Sequence, residues 1–155
     1  MITPQKNSFN QKIDLPNDYG IELYIKREDL LHEEISGNKF RKLKYNLEEA
    51  KRQGKTKLLT FGGAFSNHIA AVAAAGRDYA FDTVGVIRGE ELALKYQENP
   101  TLKKASEDGM QFYFATRTQY RDKKNVDFLE ELYQQFGDFY LIPEGGTNEF
   151  AVKGC

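Results

Sequence analysis

Tryptophan is absent from the 155 residues, cysteine occurs once and histidine twice. The lone Cys155 excludes an intrachain disulfide and a cysteine-rich zinc site. His32 and His68 are too few for a multi-histidine metal centre, so no metal is expected. An excess of either charge is also missing. Basic side chains number 22 and acidic ones 23, for a formal net charge of −1. That balance gives no support for nucleic-acid or membrane-surface binding. The longest purely apolar run, Ile69 to Ala75, is far too short to span a bilayer. The opening MITPQKNSFNQKIDLP lacks the apolar segment of a secretory signal. What remains is a cytoplasmic enzyme or binding domain. Its 40% hydrophobic and 29% charged residues are those of a globular chain long enough to bury a core.

Residues 1–20 are polar and turn-rich, and Ile21 to Ile25 alternates like a strand. From Lys39 to about Arg52, Phe40, Leu43, Leu47 and Ala50 form one apolar helical stripe, with Gly54 as the stop. Strand signals follow at 57–61, 82–88, 111–115 and 139–142. They alternate with helical signals at 66–75, 100–108 and 126–136, the first nearly apolar all round. This order predicts an α/β fold: an open parallel sheet with helices on both faces. After Gly145-Gly146 no terminating element is evident in the sequence, which suggests an incomplete protein.

Three segments carry candidate chemistry. In Ser36-Gly37-Asn38-Lys39-Phe40-Arg41-Lys42, Lys39 opens a helix and Lys42 follows one turn later. Mutual repulsion and the positive helix end both favour a neutral Lys39 amine, the form a Schiff-base lysine needs. The same residues also read as a solvated basic helix face with Ser36 as its cap. Gly62-Gly63-Ala64-Phe65-Ser66-Asn67-His68 lies between a strand and a buried helix. Such a turn offers unpaired N–H groups to a carboxylate or phosphate at a strand's carboxyl end. It reads equally as a tight turn capped by Ser66, with His68 a partly buried first-turn residue. Pro143-Glu144-Gly145-Gly146 lines the same cleft or, the favoured reading, simply turns the chain. Tyr113, Tyr120 and Tyr133 read as core rather than as a nucleic-acid surface.

Taken together, Lys26-Arg27-Glu28-Asp29-Leu30, the Gly-Asn-Lys-Phe-Arg-Lys run at 37–42, Ser66-Asn67-His68 and Pro143-Glu144-Gly145-Gly146 resemble one family. It is the 1-aminocyclopropane-1-carboxylate deaminase / D-cysteine desulfhydrase family, whose members are pyridoxal 5'-phosphate enzymes of the tryptophan-synthase-β fold. The resemblance covers essentially the whole chain. It implies that Lys39 carries the cofactor as a Schiff base and acts as the base toward the substrate α-proton. Asn67 would bond the cofactor's phenolic oxygen, and Lys42 would sit near its phosphate. Ser66, Asn67 and His68 would hold the substrate carboxylate. Phe65 departs from the family, which often has glutamine there, and His68 favours the desulfhydrase-like branch.

The resemblance further implies a small amino-acid substrate, elimination or ring opening to a 2-oxo acid and ammonia, and a homodimer for the complete enzyme. It divides the chain into residues 1–52 of a large cofactor domain, a small α/β domain at 53–145, and 146–155 as the start of a missing second half. Residues 1–155 alone are then expected to be weakly active or inactive. A different class of function is an inert α/β module that binds an anionic metabolite at the Gly62–His68 loop.

Overall fold

The computed structural model describes residues 2–35 and 37–155. Ser36, the expected cap of the first helix, lies outside them. The chain begins with an antiparallel hairpin, β1 (Asn10–Ile13) and β2 (Leu23–Lys26). Helix α1 (Asn38–Arg52) follows, and its expected stripe of Phe40, Leu43, Leu47 and Ala50 is buried. The remaining elements are β3 (Lys57–Gly62), α2 (Asn67–Tyr79), β4 (Asp82–Arg88), α3 (Pro100–Glu107), β5 (Met110–Ala115), α4 (Arg117–Arg121), α5 (Val126–Phe136), β6 (Tyr140–Ile142) and α6 (Glu149–Gly154). Among the described residues no helix is long and apolar enough to cross a membrane.

β3 to β6 form one parallel sheet in the order β5-β4-β3-β6. Its two faces bury different side chains because successive strand residues point to opposite sides. Leu58, Ile87 and Ile142 pack with α1, α2 and α3, whereas Leu59, Phe61, Val84 and Val86 pack with Tyr120 of α4 and Phe128, Leu132 and Phe136 of α5. The expected open sheet with helices on both faces is therefore present. α2 lies close against β4 because position 76 is glycine. A Cβ there would meet the Thr83 side chain and sit 2.9 Å from the Phe81 carbonyl oxygen.

The helices start where side chains can satisfy first-turn amides. Ser66 accepts from Ile69 N, Asn99 from Leu102 N ahead of Pro100, and Asn125 from Asp127 N. Three elements depart from the sequence reading. β1 lies in the supposedly irregular start, α4 follows β5 directly, and α6 forms where no terminating element was expected. α6 is held to α1 by Asn46, which is fully buried. Its Nδ2 donates to the Lys42 carbonyl (2.8 Å) and to Asn148 Oδ1 (3.1 Å), while its Oδ1 accepts from Asn148 Nδ2 (2.7 Å) and Tyr140 Oη (3.2 Å).

The strand order creates a place for ligands. The chain steps outward from β3 to β4 to β5, then crosses to β6 on the other side of β3. The loops leaving β3 and β6 therefore diverge from adjacent strands, and a crevice opens at their carboxyl ends.

Candidate active site

Lys39 sits in the first turn of α1, after Gly37 at φ 61°. Its half-buried side chain faces a cavity of about 360 Å³ lined by Glu34, Gly37, Asn38, Lys39, Asn67 and Ala70. Lys39 and Asn67, 28 positions apart in sequence, thus meet at one space. Burial, reinforced by the nearby Lys42 charge, lowers the Lys39 pKa below its ordinary value. The direction matches the sequence expectation, but desolvation rather than charge repulsion is the larger cause.

The loop after β3 is held from within. Ser66 N donates to the Gly63 carbonyl (3.1 Å), and Ser66 Oγ accepts the Ile69 amide (3.3 Å). Helix geometry leaves the N–H groups of Asn67 and His68, its first two residues, without intrahelical acceptors. Those amides and the positive helix end are suited to a carboxylate.

The imidazole of His68 points the other way. It is 2% exposed and lines neither this cavity nor the larger cleft beside it. Thr60 Oγ1 donates to the Ile142 carbonyl (2.9 Å) and so receives the Nε2–H of His68 (2.8 Å). Nδ1 is buried and, among the described residues, has no hydrogen-bond partner. Burial first, then the Lys39 and Lys42 charges, lower the His68 pKa to about 4, against opposing contributions from Glu144 and the Pro143 carbonyl. His68 is therefore neutral at pH 7. It is nearly wholly buried rather than partly buried, and only its backbone N–H is available to a ligand.

The segment after β6 both turns the chain and borders the site. Glu144–Gly146 forms a short 3₁₀ turn. Lys42 Nζ donates to the Gly145 carbonyl (3.3 Å) and to Thr147 Oγ1 (2.8 Å), which ties this turn to α1. Gly146, at φ 71°, comes so close to His68 that a Cβ would lie 3.1 Å from its Cε1. A side chain there would be strained by the backbone and would have to push the His68 ring back by a few tenths of an ångström, so glycine is favoured on both counts.

On the other flank of the β3 loop lies a cleft of about 990 Å³. Gly63, Ala64, Phe65 and Ser66 form one wall, and Arg88, Tyr120 and Glu144 contribute to the rest. Tyr120 Oη donates to Glu144 Oε1 (2.7 Å), and Lys123 Nζ lies 3.1 Å from Glu144 Oε2. Burial, with the adjacent carboxylate, raises the Tyr120 pKa. For Glu144 burial acts upward but is outweighed by bonds from Tyr120 and Lys123, and its pKa falls. Thr60, Arg88 and Tyr120 were not singled out by sequence reasoning as site residues. A polar residue inside a buried strand and an arginine at a strand's carboxyl end were the available signals.

No protein-family model matches the chain. Similar proteins are nonetheless found. A D-cysteine desulfhydrase of Yersinia pestis is 37% identical over 93% of this chain and 44% of its own length. The Arabidopsis thaliana bifunctional D-cysteine desulfhydrase/1-aminocyclopropane-1-carboxylate deaminase, a mitochondrial protein, is 32% identical over 90% of this chain and 36% of its own. The crystal structure of an ACC deaminase homologue superposes with a TM-score of 0.74 and 31% identity, covering 99% of this chain and 46% of that one. The resemblance seen in the motifs thus holds across almost the whole chain, in sequence and in fold. The chain spans less than half the length of the relatives it matches.

Proposed function

We propose that this chain contributes the lysine-bearing part of a pyridoxal-phosphate-dependent lyase or deaminase of the D-cysteine desulfhydrase / 1-aminocyclopropane-1-carboxylate deaminase family, acting on a small amino acid. The single observation that carries this reading is the shared cavity of Lys39 and Asn67, where the lysine is shifted toward its neutral form. These side chains fit one edge of the cofactor. A neutral amine suits its aldehyde, and an amide donor suits its phenolic oxygen.

When bound, pyridoxal phosphate supplies an electron sink for charge developing at the substrate α-carbon. The chain's own residues do the rest. The amine of Lys39 would be the attachment point and, for an α-amino acid such as D-cysteine undergoing β-elimination, the group that takes the α-proton, a role that its partial desolvation supports; 1-aminocyclopropane-1-carboxylate carries no α-hydrogen, and there the amine would move a proton at a ring carbon instead. The Asn67 amide would donate to the cofactor's phenolic oxygen. The N–H groups of Asn67 and His68 hold the substrate carboxylate at the positive end of α2. Ser66 keeps that turn in shape through its bond to Ile69 N. Lys42, one turn from Lys39, adds positive charge that disfavours protonation of Lys39 and attracts the cofactor's phosphate. The neutral His68 contributes its backbone N–H only. The packing of α6 along α1 supports treating residues 38–52 and 149–154 as one unit beside the β3–β6 sheet. A homodimeric complete enzyme accords with the same family resemblance.

The test is direct. The full-length protein should gain visible absorption on addition of pyridoxal phosphate, and borohydride reduction should fix the label on Lys39. Lys39→Ala should abolish both, together with release of ammonia from D-cysteine or 1-aminocyclopropane-1-carboxylate. A full-length protein that never takes up the cofactor, or one labelled at another lysine, would refute the reading.

A further inference from the structure

His32 takes no part in the chemistry assigned to Lys39, yet it is buried, at 4% exposure, in the segment that leads into α1. Its Nδ1 accepts the amides of Glu34 (3.2 Å) and Ile35 (3.1 Å). A ring nitrogen that receives two N–H groups carries no hydrogen, so the hydrogen is on Nε2. Nε2 lies 3.1 Å from Asp78 Oδ2, in the last turn of α2, and donates to it. The ring also lies against Phe40, with centroids 6.3 Å apart and planes 27° from parallel. Phe40 is itself buried and is the chain neighbour of Lys39.

The bonds from position 32 to the amides at 34 and 35 need no histidine. Asparagine, with a shorter side chain, makes such bonds at the head of a turn. The imidazole adds a second nitrogen, on the far side of the ring, that reaches another element. The next side chains repeat the pattern. Glu34 pairs with Arg77, from the same last turn of α2, and with Lys104 of α3 at 2.8 Å. Arg77 in turn meets Asp78 (2.8 Å) and Asp108 (2.6 Å). Residues 32–35 are thus pinned to the far end of α2 through both His32 and Glu34.

The near end of that helix is a wall of the Lys39 cavity. Asn67 and Ala70 line the cavity from α2, and Glu34 and Gly37 line it from the segment before α1. Asn67 and Asp78 are eleven positions apart. That is close to three full turns, so they share one helix face at a separation of about 17 Å. α2 is therefore a strut. One end carries Asn67, and the other holds the segment that delivers Lys39.

We propose that His32 is a positioning residue: its bond to Asp78 fixes the segment before α1 against α2 and so sets where Lys39 stands relative to Asn67. The use made of that placement rests on the function proposed above, but the placement itself exists before any cofactor binds.

The experiment compares His32→Asn, Asp78→Ala and the double variant in the full-length protein. His32→Asn keeps an acceptor for the Glu34 and Ile35 amides and gives up the reach to α2. Asp78→Ala removes the same bond from a partly exposed position, which keeps the test valid should His32→Asn fail to fold. Before cofactor is added, the Lys39 amine is titrated by NMR of isotopically methylated lysines. Wild type should titrate below an ordinary lysine, since burial is the main cause of its shift, and each single variant should move it back toward the ordinary value. With pyridoxal phosphate bound, kcat on D-cysteine should fall about tenfold in each single variant while KM changes by less than about twofold, as expected for a small misplacement of a reacting group. The double variant should be no worse than either single one, because both break the same bond. Asp78→Asn, which keeps an oxygen for Nε2, should retain most of the wild-type rate. The proposal fails if the Lys39 titration does not move, if the losses multiply in the double variant, or if kcat falls only in step with thermal stability. A wild-type protein that takes up no pyridoxal phosphate refutes the proposed function instead, and the Lys39 titration then decides the positioning role by itself.

Discussion

Acidification from pH 7.5 to 5 puts a proton on most histidines of an unfolded chain, whose ordinary pKa is 6.5. In the folded state His68 is 2% exposed and protonates only at about 4. Between those values the unfolded chain binds a proton that the native chain refuses, so stability falls as pH falls. The contribution is fully present above pH 6.5 and is lost progressively toward pH 4. With those two values, the loss between pH 7.5 and 5 is about 2 kcal/mol, a substantial part of a domain's stability. Glu34 and Glu49, held near 2 by Arg77 and Arg52 respectively, lose their contribution only as pH drops through and below the ordinary carboxylate range, so the windows separate. Urea unfolding followed by far-ultraviolet circular dichroism at half-unit pH intervals measures the slope. His68→Gln should flatten it between pH 7.5 and 5, whatever it does to absolute stability. A wild-type profile without slope in that range, or an equal slope in the variant, would refute the assignment of a neutral, buried imidazole.

Two further expectations concern the elements around the site. Asn46→Ala should cost about 2–3 kcal/mol, because it strands the Tyr140 hydroxyl and the Asn148 amide that it now pairs. Chemical denaturation measures that loss, and proteolysis should become faster around 147–155 as α6 loosens. Gly146→Ala should lower the melting temperature by an amount corresponding to about 1–3 kcal/mol, since both its φ of 71° and its approach to His68 oppose a side chain. A melting temperature equal to wild type would show that the turn relaxes freely.

The sheet and its helices were legible because their signals are strong and local. The interior strands β3 and β4 are short apolar runs, and the stripes of α1 and α5 repeat at helical spacing. β1 was not, since Asn10-Gln11-Lys12-Ile13 shows no apolar alternation and is held by pairing with β2. α4 buries only Tyr120, yet a Thr116–Gln119 capping box marks its start and was readable. α6 likewise opens with an asparagine cap, Asn148. At the site, Lys39 and Asn67 stood out as motif residues, and the repulsion expected from Lys42 anticipated the direction of the Lys39 shift, although burial, which the sequence does not display, is its larger cause. The inward turn of His68 was hidden because it depends on Thr60, a partner visible only once β3 and α2 are packed together. Phe65 and Arg88 join one cleft through strand order, which periodicity does not reveal.

One short stretch of backbone, residues 63–67, is a party wall. Lys39's chamber lies on one side and the arginine-lined chamber on the other. Whatever backbone arrangement residues 63–67 adopt shapes both spaces at once, so a substitution that moves this loop is felt on its two sides together.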